Sequence, residues 1–183
     1  MAQSCKAATD FNLAPTAEDE QEVWGAARPG ARQQRCYDDA VAVNVTPAEV
    51  EEWVGAVKAV GVSRVVSMLS DSELATYEQP LPAALAAAFP QGYVNVDAKA
   101  PGAAAEIMAA LRAARAAGDR VLVHCWGGGG RTGLVQAAWL CAERGFSPEA
   151  AAEAVTAYGA ARGCSRRVDV AALRDFVAAA GKA

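Results

Sequence analysis

The run His124-Cys125-Trp126-Gly127-Gly128-Gly129-Gly130-Arg131-Thr132-Gly133 limits what this chain can fold into more than any other stretch. Val121-Leu122-Val123 before it is short, apolar and β-branched, which predicts a buried strand. Leu134-Val135-Gln136-Ala137-Ala138-Trp139-Leu140-Cys141 after it predicts a buried helix. A strand that ends in a Gly-rich turn and opens a helix makes an anion site. The free N–H groups of the turn converge on one spot, and the helix dipole adds partial positive charge there. Here a cysteine stands at the mouth of the cradle and an arginine closes it, which points to chemistry on the anion rather than binding alone.

The rest of the chain fits a single α/β domain. Its 183 residues suffice for a sizeable core, and 53% hydrophobic content with many alanines suits small-residue helices packed on a sheet. Glu22 to Ala26 predicts an edge strand, and Ala40 to Val45 a second strand. Thr46-Pro47-Ala48-Glu49 is a helix start with Thr at the N-cap, Pro at N1 and Glu at N3, running to about Val60 before Gly61. Arg64 to Leu69 is a strand, 70–80 a loop or short turn, 81–89 a helix, and 92–96 a strand ending at Asp97. Pro101 opens an Ala-rich helix to about Ala117, residues 120–124 form the strand before the glycines, and helices follow over 131–144, from Pro148 to about Ala161, and after Asp169. Strands alternating with helices predict a largely parallel central sheet with helices on both faces. Residues 1–20 lack periodicity and are expected to be a flexible arm, leaving 21–183 as the catalytic domain.

Charge and cysteine usage exclude several classes. A net charge of −4 gives no bulk nucleic-acid footprint, and no apolar run is long enough to cross a membrane. Five cysteines without CxxC spacing argue against zinc, and one histidine cannot build a multi-histidine metal site, so no cofactor is expected. The odd cysteine count and the lack of a signal-peptide pattern lead to the expectation of a cytoplasmic protein, with the nucleus as the alternative.

Within the loop, glycines let the backbone fold into a cup small enough for a tetrahedral anion, and Arg131 offers two parallel donors to phosphoryl oxygens. A free cysteine has a pKa of ~8.5, and one at a helix N-terminus near an arginine falls to ~3.5–7.5. Cys125 is therefore expected to be a thiolate able to attack phosphorus. Transfer to water needs a general acid for the leaving alcohol. Asp71 and Asp97 both qualify, because each follows a predicted parallel strand and so lies on the same sheet edge as Cys125.

His124-Cys125-x5-Arg131-Thr132-Gly133 resembles the signature of the cysteine-dependent protein tyrosine phosphatases. Within them the chain is most similar to small atypical dual-specificity phosphatases of the kinase-associated type. The likeness extends through Asp71-Ser72-Glu73-Leu74-Ala75-Thr76-Tyr77 and Val96-Asp97-Ala98-Lys99-Ala100-Pro101, and covers about residues 22 to 178. It implies a phosphocysteine intermediate on Cys125, phosphoryl binding by Arg131 and the backbone of Trp126, Gly127, Gly128, Gly129 and Gly130, and help from Thr132 as the thiolate leaves. Asp97 matches the family's acid position, with Asp71 the second candidate. The implied partner is a phosphorylated protein, with a kinase or kinase complex beside it, and a monomer is expected.

Several residues carry two readings. His124 is a core imidazole that orders the loop, or a proton shuttle; the family likeness favours the first. Trp126 either lines the pocket mouth or packs beneath the loop. Arg166 and Arg167 either hold substrate or water near the site, or belong to a solvated basic loop. Cys36, Cys141 and Cys164 are packing or surface thiols, with redox partnership to Cys125 as the other reading.

Three rivals use the same loop. Gly128-x-Gly130-x-x-Gly133 formally satisfies a dinucleotide fingerprint, but that needs a second strand and an acidic residue about 20 positions on. Residues 148–153 predict a helix there instead. An arsenate reductase and a non-catalytic phosphate-binding module are the other two. The loop's variable positions hold no lysine, which argues against highly charged inositol phospholipids and for a shallow site taking phosphotyrosine with phosphoserine or phosphothreonine.

Overall fold

The computed structural model describes residues 11–31 and 44–181. Five strands form one sheet in the order β1-β2-β5-β3-β4. β2 (Glu20–Ala27), β5 (Arg120–Cys125), β3 (Val62–Ser67) and β4 (Tyr93–Asn95) run parallel. β1 (Ala14–Ala17) pairs antiparallel with β2. The predicted α/β class holds, with β1 as the one antiparallel member.

That first strand corrects two expectations. Residues 14–17 belong to the sheet rather than to an arm, and because β1 covers the outer side of β2, β2 is not an edge strand. All four β1 residues are buried, so no polar–apolar alternation marks them. Of the proposed arm, residues 1–10 lie outside the described residues, as do 40–43 of the predicted second strand. Val45 makes a single parallel bridge to Tyr77.

The helices start where local chemistry tells them to. α1 (Pro47–Ala59) opens on a complete capping box: Glu49 N–H donates to Thr46 Oγ1 at 3.4 Å, and Thr46 N–H to Glu49 Oε2 at 3.0 Å. A cap of this kind contributes ~1 kcal/mol. Gly61 at φ +78° then turns the chain into β3. The predicted loop over 70–80 contains one capped turn, α2 (Asp71–Leu74), followed by α3 (Leu81–Ala88). α4 (Ala103–Ala116) begins two residues later than Pro101 suggests. Ala100 N–H first bonds back to the Asp97 carbonyl at 2.9 Å, and Gly102 takes φ +81°. α5 (Gly130–Arg144), α6 (Pro148–Ala161) and α7 (Val170–Ala180) complete the chain.

Alternation along β5 divides two cores. Val121, Val123 and Cys125 face the core shared with α4 to α7. Leu122 faces the core under α1 and α3, where His124 packs on Trp53. Register pairs Ala27 with Cys125 and Ser67 with both His124 and Asn95, so the parallel strands end together at one edge. Loops leaving that edge carry the chemistry.

Candidate active site

β5 ends on Cys125, the chain turns through Trp126 to Gly129, and α5 begins at Gly130. The turn requires glycine at position 128. Its φ is +71°, and a Cβ there would lie 2.5 Å from the Ala27 nitrogen on β2. Gly129, the N-cap of α5, makes no side-chain capping bond, so side chains leave the first-turn N–H groups for an anion. The helix sits hard against β2: a Cβ on Gly25 would come within 2.6 Å of Thr132 Cγ2.

Thr132 is fully buried, and its hydroxyl lies 3.1 Å from Cys125 Sγ and 3.3 Å from the Ala26 carbonyl. Its one proton thus has two acceptors, one of them the sulfur. Cys125 is a free thiol with 3% exposure, seated at the floor of the cup.

Arg131 is held by a partner that the sequence reading did not single out. Its Nη1 donates to the Met68 carbonyl at 2.6 Å and to Glu73 Oε2 at 2.8 Å, and Nη2 donates to Glu73 Oε1. A guanidinium has five N–H groups. Among the described residues three are engaged, and the two left, on Nε and Nη2, lie parallel along one edge, the arrangement that fits two oxygens of a phosphoryl group. Burial opposes the charge on Arg131. The Glu73 bond and the charges of Cys125, Glu73 and Asp97 together outweigh it, and the guanidinium is held above its usual range. Burial likewise pushes Glu73 up, but Arg131 and Ser70 outweigh it and hold the carboxyl below its usual range.

Both aspartates stand on the same sheet edge as Cys125. Asp97 follows β4 in the turn before α4, where its Oδ1 accepts from Lys99 N–H at 3.0 Å, and its charge acts on Arg131. Asp71 is the exposed first residue of α2.

His124 is wholly buried. Burial, reinforced by the charges of Arg131 and Arg28, pushes its imidazole down to about 3. It stacks edge-on to Trp53 at 5.2 Å. Its place is therefore in the core, where it is neutral. Trp126 packs half-buried against the core of α1 and α3, with the Arg28 guanidinium 3.7 Å above its ring. Its place is beneath the loop rather than at the mouth.

Arg166 fits neither of its expected readings. It is 4% exposed and bonds to the carbonyls of Gly25, Gly128 and Asn12 and to Gln136, so it is an internal clamp. Arg167 is exposed beside the loop, its Nε 3.6 Å from where a Gly129 Cβ would sit. Cys164 is buried with its thiol 4.0 Å from the Arg162 carbonyl, and burial pushes the Cys141 thiol up. Cys36 lies outside the described residues.

Comparison with solved structures finds the same fold. Kinase associated phosphatase with its catalytic-site cysteine replaced by serine is 19% identical, with 88% of each chain covered and a TM-score of 0.64. PTPMT1 in complex with PI(5)P is 16% identical over 94% of this chain and 96% of that one, with a TM-score of 0.63. The active form of Tk-PTP is 22% identical over 92% and 97%, with a TM-score of 0.55. At these identities the likeness is one of fold. No curated protein matches the chain. Residues 36–179, which include the loop, Arg131, Glu73 and Asp97, match the model of the "Swiss Army Knife protein, DSP-PTPase phosphatase domain". The chain therefore belongs to that family of phosphatase domains, PTP-SAK, of the cysteine-dependent dual-specificity and tyrosine type.

Proposed function

We propose that the chain hydrolyses phosphomonoesters on proteins, phosphotyrosine with phosphoserine and phosphothreonine, through a phosphocysteine intermediate. One observation carries the reading: the Thr132 hydroxyl lies on Cys125 Sγ at 3.1 Å while Glu73 leaves one edge of the Arg131 guanidinium open. Arg131 and the loop N–H groups bind the phosphoryl oxygens. The Cys125 thiolate attacks phosphorus, the S–P bond forms, the P–O bond to the substrate breaks, and the Asp97 carboxyl gives the leaving oxygen its proton. Water then attacks phosphorus, Asp97 takes a proton from it, and the S–P bond breaks with Thr132 donating to the departing sulfur.

The test is a panel of phosphotyrosyl and phosphoseryl peptides, with phosphoinositides and arsenate plus a thiol reductant beside it. Phosphopeptide turnover that is blocked by vanadate and unaffected by chelators is expected. Cys125→Ser abolishes it while keeping phosphopeptide binding. Reduction of arsenate without peptide turnover overturns the proposal in favour of a reductase. Peptide binding without any turnover by the natural chain leaves a binding module.

A further inference from the structure

Every carbonyl of the loop from Trp126 to Gly129 meets a donor. The Trp126 carbonyl accepts from Arg28 N–H at 3.3 Å, and that of Gly129 from Gly133 N–H at 3.0 Å and Arg167 N–H at 3.4 Å. The two between are taken by side chains from distant parts of the chain. Asn12 Nδ2 donates to the Gly127 carbonyl at 2.9 Å, and Arg166 Nη1 donates to that of Gly128 at 2.9 Å. A trans peptide puts its C=O and the following N–H on opposite sides, and no described peptide is cis. Drawing these two carbonyls toward the body of the protein turns the N–H groups of Gly128 and Gly129 the other way. Consecutive glycine peptides have the widest rotational freedom of any. Without fixed donors, one of them can swing a carbonyl dipole against the anion.

The two side chains act as one unit. Asn12, in the left-handed region at φ +56°, accepts from Ser165 N–H at 2.8 Å, and its own carbonyl accepts from Arg166 Nη2 at 2.9 Å. Arg166 also reaches the Gly25 carbonyl at 3.0 Å and Gln136 Oε1 at 2.7 Å, and Gln136 in turn bonds to Thr16 on β1 at 3.2 Å. Gly159 makes room for the clamp, since a Cβ there would lie 2.9 Å from Arg166 Cγ. Asn12 lies outside the stretch that matches the family, residues 36–179.

We propose that Asn12 and Arg166 are positioning residues that hold the Gly127 and Gly128 carbonyls turned out of the cup, so that the loop's N–H groups face the bound oxyanion. The inference rests on the reading of this loop as a phosphoryl site. Tungstate binding to the full chain, measured by calorimetry, is the test, with phosphopeptide turnover, melting temperature and the Gly128 amide resonance beside it. Asn12→Asp keeps size, backbone conformation and the acceptor for Ser165 N–H, but sets a carboxylate against the Gly127 and Ser165 carbonyls. Asn12→Gly keeps the left-handed backbone and removes all three side-chain bonds, to the Gly127 carbonyl and to the carbonyl and N–H of Ser165. Each is expected to raise the tungstate Kd and lower kcat/KM by about ten- to a hundredfold, and to shrink the tungstate-induced shift of the Gly128 amide. Arg166→Lys is expected to do the same. Unchanged tungstate Kd and kcat/KM in folded Asn12→Asp, even with a lower melting temperature, overturns the proposal and leaves a mere brace. If the natural chain binds no tungstate, the phosphoryl-site reading itself falls and takes this inference with it.

Discussion

At Glu73 one carboxylate closes the cap of α2, accepting from Ser70 N–H at 2.9 Å, and also holds both terminal nitrogens of Arg131. Glutamine also closes capping boxes, so Glu73→Gln separates the two tasks. The turn is retained, while an amide N–H now faces one Arg131 nitrogen and the guanidinium loses its anchor. The expected result is a fall in kcat/KM of about ten- to a hundredfold with little change in melting temperature. A turnover equal to that of the natural chain shows that Arg131 does not need this anchor. Ser70-x-x-Glu73 is a readable capping pattern, but the partner of Glu73 lies 58 residues on, and only tertiary folding shows it. The choice between the aspartates is tested at the same scale. Asp97→Ala is expected to cut turnover of phosphoserine peptides by about 10²–10⁴-fold and that of an activated aryl phosphate, whose leaving group needs no proton, much less. If Asp71→Ala gives that pattern instead, the acid is misassigned.

The junction of β5, loop and α5 shows how much an element can reveal in sequence. Cys125, the glycines, Arg131 and Thr132 are contiguous, so strand, cup and helix were all legible. What presses against them was not. β1 is four buried residues with no alternation, and its existence depends on pairing with β2. Arg166 reads in sequence either as a substrate or water contact or as part of a solvated basic loop, and its internal role is hidden because its acceptors are carbonyls of remote segments. The close seat of the loop on β2 yields a prediction here. Gly128→Ala combines a left-handed backbone with a Cβ 2.5 Å from the Ala27 nitrogen, and backbone cannot yield as a side-chain tip can. The expected cost is about 1–3 kcal/mol in chemical denaturation, with oxyanion affinity lost in parallel. A variant that keeps both shows that the turn does not need its left-handed residue.

For the whole molecule, the alternation of strands and helices was enough to give the α/β class, and the order of the parallel strands follows from register that only the structure supplies. The sheet has a consequence for acid stability, because its central strand buries the chain's single histidine. Burial holds the folded His124 imidazole down to about 3, whereas the unfolded side chain titrates near ~6.5. Between those values the unfolded chain binds a proton that the folded chain does not. Stability from this group is therefore complete above about pH 6.5 and is lost as pH falls, with a slope approaching ~1.4 kcal/mol per pH unit. The lowered Glu73 carboxyl acts in the same direction, but chiefly below about pH 5, as its unfolded form, half protonated at about pH 4.3, takes up a proton. That leaves the interval from pH 6.5 to 5 to His124. Urea denaturation at pH 6.5 and at pH 5 is expected to differ by about 2 kcal/mol, and His124→Phe, which keeps a ring against Trp53, is expected to flatten the difference. An equal loss in the variant means that the acid sensitivity lies in the carboxylates rather than in the strand that carries the nucleophile.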